Sequence, residues 1–390
     1  MKHRTLTLCA ALLAIPATHA CQAFDRAEYA RLMGRGDASN DALAPRNDAS
    51  SDASGDGGPA ACAQRTRDAG AGCDLAIVPS LPAGLANSIG STKVFAVRRV
   101  LLGAGGAWSG IGFDRDGMCT TPNPPGGGAP MVPCRSPLVL ADGMNGRDNA
   151  FGSVIGQVGV FGSSFNESDL NSNIADGSST IGLRLRDFGG QNDASITVEL
   201  LPLVDGHPPS NPTAMPNWDG RDEWSIHRGL AYGADGRTIR VSTTDAFSSC
   251  GTIVMPFPNN APLYFANARI RTQITLTDIR LSGQLDAMGN VTTLDLSAIW
   301  ARNQIFEDLR TFGVCQERQS TMEWTTVLLG VAAALDITAS GVPNPAADCS
   351  AMSVAFRFEL VPITVSGDAT PPPPMVVDPC AVGSDAGTRG

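Results

Sequence analysis

Residues 278–296 read DIRLSGQLDAMGNVTTLDL, two runs of alternating apolar and polar residues on either side of a short turn. The runs at 278–285 and 291–296 have the period of two that places one face of a strand against a core. Between them, residues 287–290 (AMGN) combine small residues with the glycine and asparagine that tight turns favour. The stretch therefore predicts an antiparallel β-hairpin.

The same pattern recurs along the chain and predicts a mainly β fold. Strands are predicted at residues 93–102, 180–186, 195–201, 237–243, 252–257, 263–276, 278–285, 291–296 and 352–362. Helical patterns are fewer and fall at residues 150–161, 301–312 and 321–335. Many strands with two or three covering helices indicate a β-sandwich-like architecture, with an α+β arrangement as the alternative.

The two ends of the chain differ in composition from this body. Residues 1–20 have a basic start followed by a short apolar core, the pattern of a secretory signal peptide, and Cys21 follows as a candidate lipidation site. Residues 21–74 are rich in Asp, Ala, Ser and Gly and predict a disordered tether. Residues 75–366 predict one globular domain, and residues 367–390 a proline-rich tail. The protein is expected to be extracytoplasmic, either an outer-membrane lipoprotein or secreted.

Cysteine usage agrees with an oxidising compartment. If Cys9 leaves with the signal and Cys21 carries lipid, eight cysteines remain and can pair completely. Short loops favour Cys62 with Cys73 and Cys119 with Cys134. The second bridge closes a loop, TTPNPPGGGAPMVP, that has few side chains able to pack.

Residues 113–119 (FDRDGMC) and 142–152 (DGMNGRDNAFG) are unusually dense in oxygen-bearing side chains and glycine. These are the ligands and turn residues with which proteins bind calcium. The candidate ligands are Asp114, Asp116, Asp142, Asn145, Asp148 and Asn149. The alternative is that these residues only form turns, with Asp148 or Asn149 capping the helix that follows. An EF-hand is excluded because Pro125 stands where its last carboxylate belongs.

A second polar and aromatic cluster spans residues 218–227. Trp218 and Trp224 could stack on a carbohydrate, and Asp222 with Glu223 could serve as an acid and base pair. The alternative is an ordinary strand edge with surface residues.

Several activities are disfavoured by what the sequence lacks. The net charge of −10 argues against nucleic acid as a partner. The motifs GxSxG, HExxH, GxxxxGK[ST] and strand-linked GxGxxG do not occur, which argues against the commonest hydrolases, zinc proteases and nucleotide-binding enzymes.

Five pieces of the chain carry a resemblance to a known family: FDRDG (113–117), Cys134, DGMNGRDN (142–149), residues 279–309 and DCSAMSVAFRFEL (348–360). They resemble uncharacterised secreted proteins and lipoproteins of myxobacteria. The sequence departs from that family at residues 298–300, where Ala-Ile-Trp replaces Gly-Arg-Trp. The resemblance implies an envelope location and a similar architecture, and it implies no activity.

Taken together, these features predict an exported binding or structural protein that lacks a catalytic site. Its partners would be a membrane, reached through the lipid anchor, and a surface glycan or protein. The alternative function is a secreted carbohydrate-active enzyme or lectin that uses residues 218–227.

Overall fold

The computed structural model describes residues 67–68, 74–88, 90–122, 130–154, 167–266, 271–311, 314–369 and 380. The proposed signal peptide, Cys21, most of the tether and nearly all of the tail lie outside this part of the chain. All described residues belong to one compact unit that begins at Pro59.

The described chain is mainly β, as the sequence predicts. The strands are β1 (Arg67–Asp68), β2 (Asp74–Leu75), β3 (Ser91–Leu101), β4 (Ser179–Phe188), β5 (Asp193–His207), β6 (Glu223–His227), β7 (Ser242–Ser249), β8 (Thr252–Phe257), β9 (Ala261–Ala266), β10 (Arg271–Leu285), β11 (Val291–Ala301), β12 (Ala351–Pro362) and β13 (Thr364–Ala369). The helices are α1 (Ala150–Val154), α2 (Glu167–Ala175), α3 (Arg228–Ala231), α4 (Arg302–Thr311) and α5 (Thr321–Ala334), with short 3₁₀ helices at Ala104–Gly110 and Gln316–Arg318.

Eight strands close into an antiparallel barrel, which corrects the predicted sandwich. The order β5, β4, β3, β12, β11, β10, β8, β7 runs through neighbouring antiparallel pairs, and β7 pairs back onto β5. Closure is achieved because β5 is long: its first half pairs with β7, whereas its second half pairs with β6. Strand β13 adds to β6 in parallel, and β9 adds to the first half of β10.

Alternation along the strands separates the inside of the barrel from the outside. On β11, Leu294, Leu296 and Trp300 belong to the main apolar core, whereas Asp295 and Ser297 lie on the opposite face and bond to outside partners. The predicted hairpin is confirmed, because β10 and β11 pair antiparallel on either side of the 286–290 turn.

Part of the chain between β3 and β4 covers the half of β12 that β3 leaves unpaired. Strand β3 pairs with β12 only from Arg357 onward, so the first half of β12 needs another neighbour. Helix α1 and the residue before it supply one: Ala150 N–H donates to Ser353 Oγ (2.8 Å), and Ala355 N–H donates to Asn149 Oδ1 (3.1 Å). This arrangement places residues 110–113 and Asn149 against β11 and β12.

Candidate metal centre

The loop that carries the aspartates is fixed to the barrel by backbone hydrogen bonds. Phe113 N–H donates to Ser297 Oγ on β11 (2.7 Å), and Phe113 O accepts from Asp148 N–H (3.2 Å). Gly112, with φ of 95°, allows the close approach, because a Cβ atom there would lie 2.5 Å from the Cβ of Ala355. The two halves of the loop, around residues 114 and 148, are therefore held next to each other.

Three of the predicted ligands come together in the interior of this loop. Asp114, Asp116 and Asp148 each place a carboxylate oxygen within 4.8 Å of the other two. Their side chains are buried, with exposures of 8, 6 and 1 %. Two oxygens that bind one calcium ion at about 2.3–2.6 Å can be no more than about 5 Å apart, so this spacing fits a shared ion. We refer to these three residues, with Asp142 and Asp336, as the acidic cluster.

Backbone donors fix one oxygen of each carboxylate. Gly117 N–H bonds to Asp114 Oδ1 and Met118 N–H to Asp116 Oδ1, both at 2.8 Å. Arg115 N–H bonds to Asp148 Oδ2 at 2.6 Å. The second oxygens of Asp116 and Asp148, Oδ2 and Oδ1 respectively, are buried and have no hydrogen-bond partner among the described residues. An unpaired, buried carboxylate oxygen is costly, and either a proton or a bound cation would relieve that cost at these two atoms.

Asp142 and Asp336 complete the cluster. Asp142 Oδ2 accepts the Thr120 N–H group, and burial raises its pKa to about 8, with repulsion from Asp116 and Asp336 adding to the rise. Asp336 follows α5, where Ser353 donates to it through both N–H (2.8 Å) and Oγ–H. Burial raises the pKa of Asp336 to about 6.

Burial and repulsion between carboxylates also raise the pKa values of Asp116 and Asp148. Burial first, and then repulsion from Asp114 and Asp336, raises the pKa of Asp116 to about 7. Burial also raises the pKa of Asp148 far above its usual range, and repulsion from the neighbouring aspartates adds to this effect. Without a cation the protein must protonate part of the cluster, whereas a divalent cation would stabilise all of it in the ionised form.

The nearby cation, Arg115, does not neutralise the acidic cluster through hydrogen bonds. Its side chain is buried, and its Nη2 bonds to the backbone oxygen of Asp278 (3.0 Å) and forms an ion pair with the Asp278 carboxylate on β10. Arg115 thus fastens the loop to the barrel, and its positive charge acts on Asp114 and Asp148 only through space.

Two predicted ligands have other roles. Asn149 Oδ1 accepts the N–H groups of Gly152 (2.9 Å) and Ala355 (3.1 Å), so it caps α1 and covers β12. Its assignment as a ligand is wrong, and the capping alternative is confirmed. Asn145 is exposed in a turn with a φ of 59°, and its backbone oxygen accepts from Ala76 N–H (2.8 Å). Sequence reasoning missed Asp336, because it is distant in sequence and has no glycine or second acid beside it.

The cluster at residues 218–227 is built differently from the prediction. Both oxygens of Asp222 accept backbone N–H groups, from Asn217 (2.9 Å) and Trp218 (2.6 Å), so this carboxylate stabilises a turn. Trp224 has an exposure of 0 % and packs in a second apolar cluster, where its ring lies 5.4 Å from that of Trp218. A buried Trp224 cannot stack on a carbohydrate, and a turn-bound Asp222 is not positioned to act with Glu223 as an acid and base pair.

The disulfides also correct the prediction. Cys134 bonds to Cys349 and Cys315 bonds to Cys380, so the predicted bridge between Cys119 and Cys134 is wrong. The cause is a backbone pairing in which Arg135 N–H bonds to Ala347 O and Cys349 N–H bonds to Arg135 O, both at 2.8 Å. Cys119 is also disulfide-bonded. The predicted pair of Cys62 and Cys73 lies outside the described residues.

Comparison with protein-family models, with curated proteins and with solved structures found no match. None of the helices in the described part of the chain is long and apolar enough to cross a membrane.

Proposed function

We propose that this protein is an exported, disulfide-stabilised β-barrel protein with a binding or structural role in the cell envelope, and that its acidic cluster holds calcium. The observation that carries the proposal is the pair of buried, unpaired oxygens, Asp116 Oδ2 and Asp148 Oδ1, among converging carboxylates. Oxygen-only ligands suit a hard cation. Calcium accommodates several carboxylates in irregular geometry, whereas magnesium demands an octahedron and keeps much of its water.

The ion would connect parts of the chain that are far apart in sequence. Asp114 and Asp116 lie at the start of the long loop, Asp142 and Asp148 lie at its end, and Asp336 follows α5. Asp114 N–H also bonds to Ala76 O (2.9 Å), so the segment entering the domain is attached to the same site. Calcium in this position would fasten three segments to the outer face of the barrel.

Thermal unfolding tests the proposal. If the dissociation constant is about 10 μM, about 1 mM calcium would raise the free energy of unfolding by about 3 kcal/mol. We expect the unfolding midpoint to lie about 5 °C or more above its value in chelator. Asp148→Asn should abolish this difference, and in chelator it should be at least as stable as the wild type, because asparagine resembles the neutral form that the raised pKa of Asp148 favours.

Asp245→Asn is the matched control, since Asp245 is exposed on β7 and its carboxylate has no partner among the described residues. It should keep the full calcium response. An unchanged midpoint for the wild type, or a calcium response that survives in Asp148→Asn, would exclude the site.

Export and membrane attachment are proposed from the pattern of residues 1–21. Disulfides in the folded domain support an oxidising compartment. Growth of cells with a clickable fatty acid should label the wild type and leave Cys21→Ser unlabelled. A wild type without label would contradict the lipid anchor and would favour secretion of an unanchored protein.

A further inference from the structure

A cleft of about 410 Å³ lies on the outer face of the barrel, next to the loop that carries the acidic cluster. Its floor is formed by residues of β8, β10, β11 and β12. Its wall is formed by Phe113, Arg147 and the segment at 75–79. The volume is in the range of sites that enclose a small ligand.

The charged side chains that line the cleft are Arg147, Arg357 and Asp295, which together carry one net positive charge. Arg357 forms a two-point ion pair with Asp295, through Nε (2.6 Å) and Nη2 (2.8 Å), and Nη2 also bonds to Gly110 O. Arg147 bonds to Gly112 O through Nε (3.0 Å) and to Met144 O through Nη1 (2.8 Å). One terminal nitrogen of each guanidinium, Arg357 Nη1 and Arg147 Nη2, has no partner among the described residues. These two donors are fixed in place and available to an anion.

The rest of the lining offers hydroxyl and amide groups. Ser282 has an exposure of only 5 %, and its hydroxyl has no hydrogen-bond partner within the described chain. Thr252 and Gln284 bond to each other (3.0 Å), and the exposed Thr293 lies beside them in the lining. Apolar surface comes from Phe113 and the 75–79 segment. Hydroxyl-bonding side chains beside an apolar wall suit a sugar ring, which has polar edges and a C–H face.

We propose that this cleft binds a carboxylate-bearing oligosaccharide. The two spare guanidinium N–H groups would take the carboxylate, and Ser282, Gln284 and Thr293 would take the hydroxyls. A peptide fits less well, because β10 and β11 are each paired on both sides and have no free backbone edge to offer it. Nucleic acid fits less well, because one net charge neutralises too little phosphate.

The test measures binding by calorimetry in calcium-containing buffer. The probes are short oligosaccharides bearing uronic, N-acetylneuraminic or muramic acid, their neutral carboxyl-reduced counterparts, and an acidic tetrapeptide. We expect at least one acidic saccharide to bind about tenfold or more tightly than its neutral counterpart, as for a charge-assisted pair. Thr293→Trp, which fills the cleft from an exposed position, should abolish this binding.

The control is Thr244→Trp, because Thr244 is also an exposed threonine on a barrel strand but does not line the cleft. It should bind like the wild type. Three outcomes would overturn the proposal: no acidic saccharide binds, binding survives in Thr293→Trp, or the tetrapeptide binds as tightly as the saccharide. None of these variants alters the acidic cluster, so this test can fail while calcium binding is retained.

Discussion

At the scale of single residues, Asp308 shows how a buried carboxyl can be structural. It lies on α4, and its carboxylate accepts Thr275 N–H (2.7 Å), Trp300 Nε1–H (2.9 Å) and Gln304 Nε2–H (2.9 Å). Burial outweighs these donors and raises its pKa to about 6. Unlike the acidic cluster, Asp308 is surrounded by donors and therefore does not indicate a metal ion.

Asp308→Asn tests this assignment. Because the folded pKa lies above the unfolded value of about 3.9, the stability contributed by the protonated form is present below about pH 4 and is lost as pH rises through about 6. Asparagine resembles the neutral carboxyl and does not titrate. The stability of the Asp308→Asn variant relative to the wild type should therefore improve by about 1–3 kcal/mol as pH rises from about 4 to 7. Urea unfolding of the variant and the wild type under identical conditions measures this difference, and the contribution of the acidic cluster cancels because both proteins contain it.

Asp308→Ala is the comparison variant. It removes the acceptor altogether and should cost about 2–4 kcal/mol at about pH 4, because three donors lose their partner. This cost should shrink toward pH 7 by the same amount as in Asp308→Asn, because both variants lack the titrating carboxyl. Equal losses in the Asn and Ala variants, without any dependence on pH, would contradict the raised pKa.

The sequence was most informative where the chemistry is local. The spacing of Asp114, Asp116 and Asp148 among glycines predicted the residues that converge. Asp336 could not be found in this way, because it joins the site only when β12 places Ser353 beside it. Asn149 was ambiguous between a cap and a ligand, since both roles use the same oxygen, and its hydrogen bonds decide for the cap.

At the scale of elements, the bridge between Cys134 and Cys349 is expected to act on the acidic cluster. Cys134 Sγ lies 3.3 Å from Asp336 O, so the bridge touches the residue that contributes a carboxylate to the cluster. The bridge between Cys315 and Cys380 is a suitable comparison, because it instead joins the chain after α4 to the tail.

The double variant Cys134→Ala/Cys349→Ala should lose about 3–5 kcal/mol of stability, from the large loop that the bridge closes. It should also lose most of the calcium response in thermal unfolding. Cys315→Ala/Cys380→Ala should lose a similar amount of stability and keep the calcium response. Equal calcium responses in the two variants would show that the first bridge does not position Asp336.

Most elements were predictable because their periodicity is local. The strand at 252–257 and the helices near 302–311 and 321–334 follow the predicted ranges closely. The run at 263–276 proved to be two strands, because β9 pairs back onto β10. The predicted strand at 237–243 was displaced, since Arg240 N–H bonds to Ala231 O in a local turn and β7 begins only at Ser242.

At the scale of the whole molecule, a sandwich and a barrel share the same alternation along their strands. What separates them here is the pairing of β5 with β7, for which the sequence contains no local signal. Closure gives the barrel a continuous outer face. The acidic cluster and the cleft both lie on that face, and Phe113 joins them, since it lines the cleft and bonds to Asp148.

The acidic cluster should make the stability of the whole molecule depend on pH in opposite ways with and without calcium. The pKa values of Asp336, Asp116 and Asp142 are raised to about 6, 7 and 8, above the unfolded value of about 3.9. In chelator the folded protein therefore binds more protons than the unfolded chain between about pH 4 and pH 8, and its stability should fall as pH rises through that range. The proposed calcium ion would bind the ionised carboxylates, so the stability that it adds should grow over the same range, with protons released on binding.

Urea unfolding at several pH values between about 5 and 8, in calcium and in chelator, measures both trends. Calorimetry in two buffers of different ionisation enthalpy counts the released protons. Asp142→Asn removes the group with a pKa of about 8, so in chelator it should flatten the fall in stability between about pH 7 and pH 8. Asp245→Asn should leave that fall unchanged, because Asp245 is exposed and lies on β7, away from the cluster. Parallel pH profiles in calcium and chelator would mean that these carboxyls do not exchange protons for a metal ion, and the acidic cluster would then be a purely structural group of shared protons.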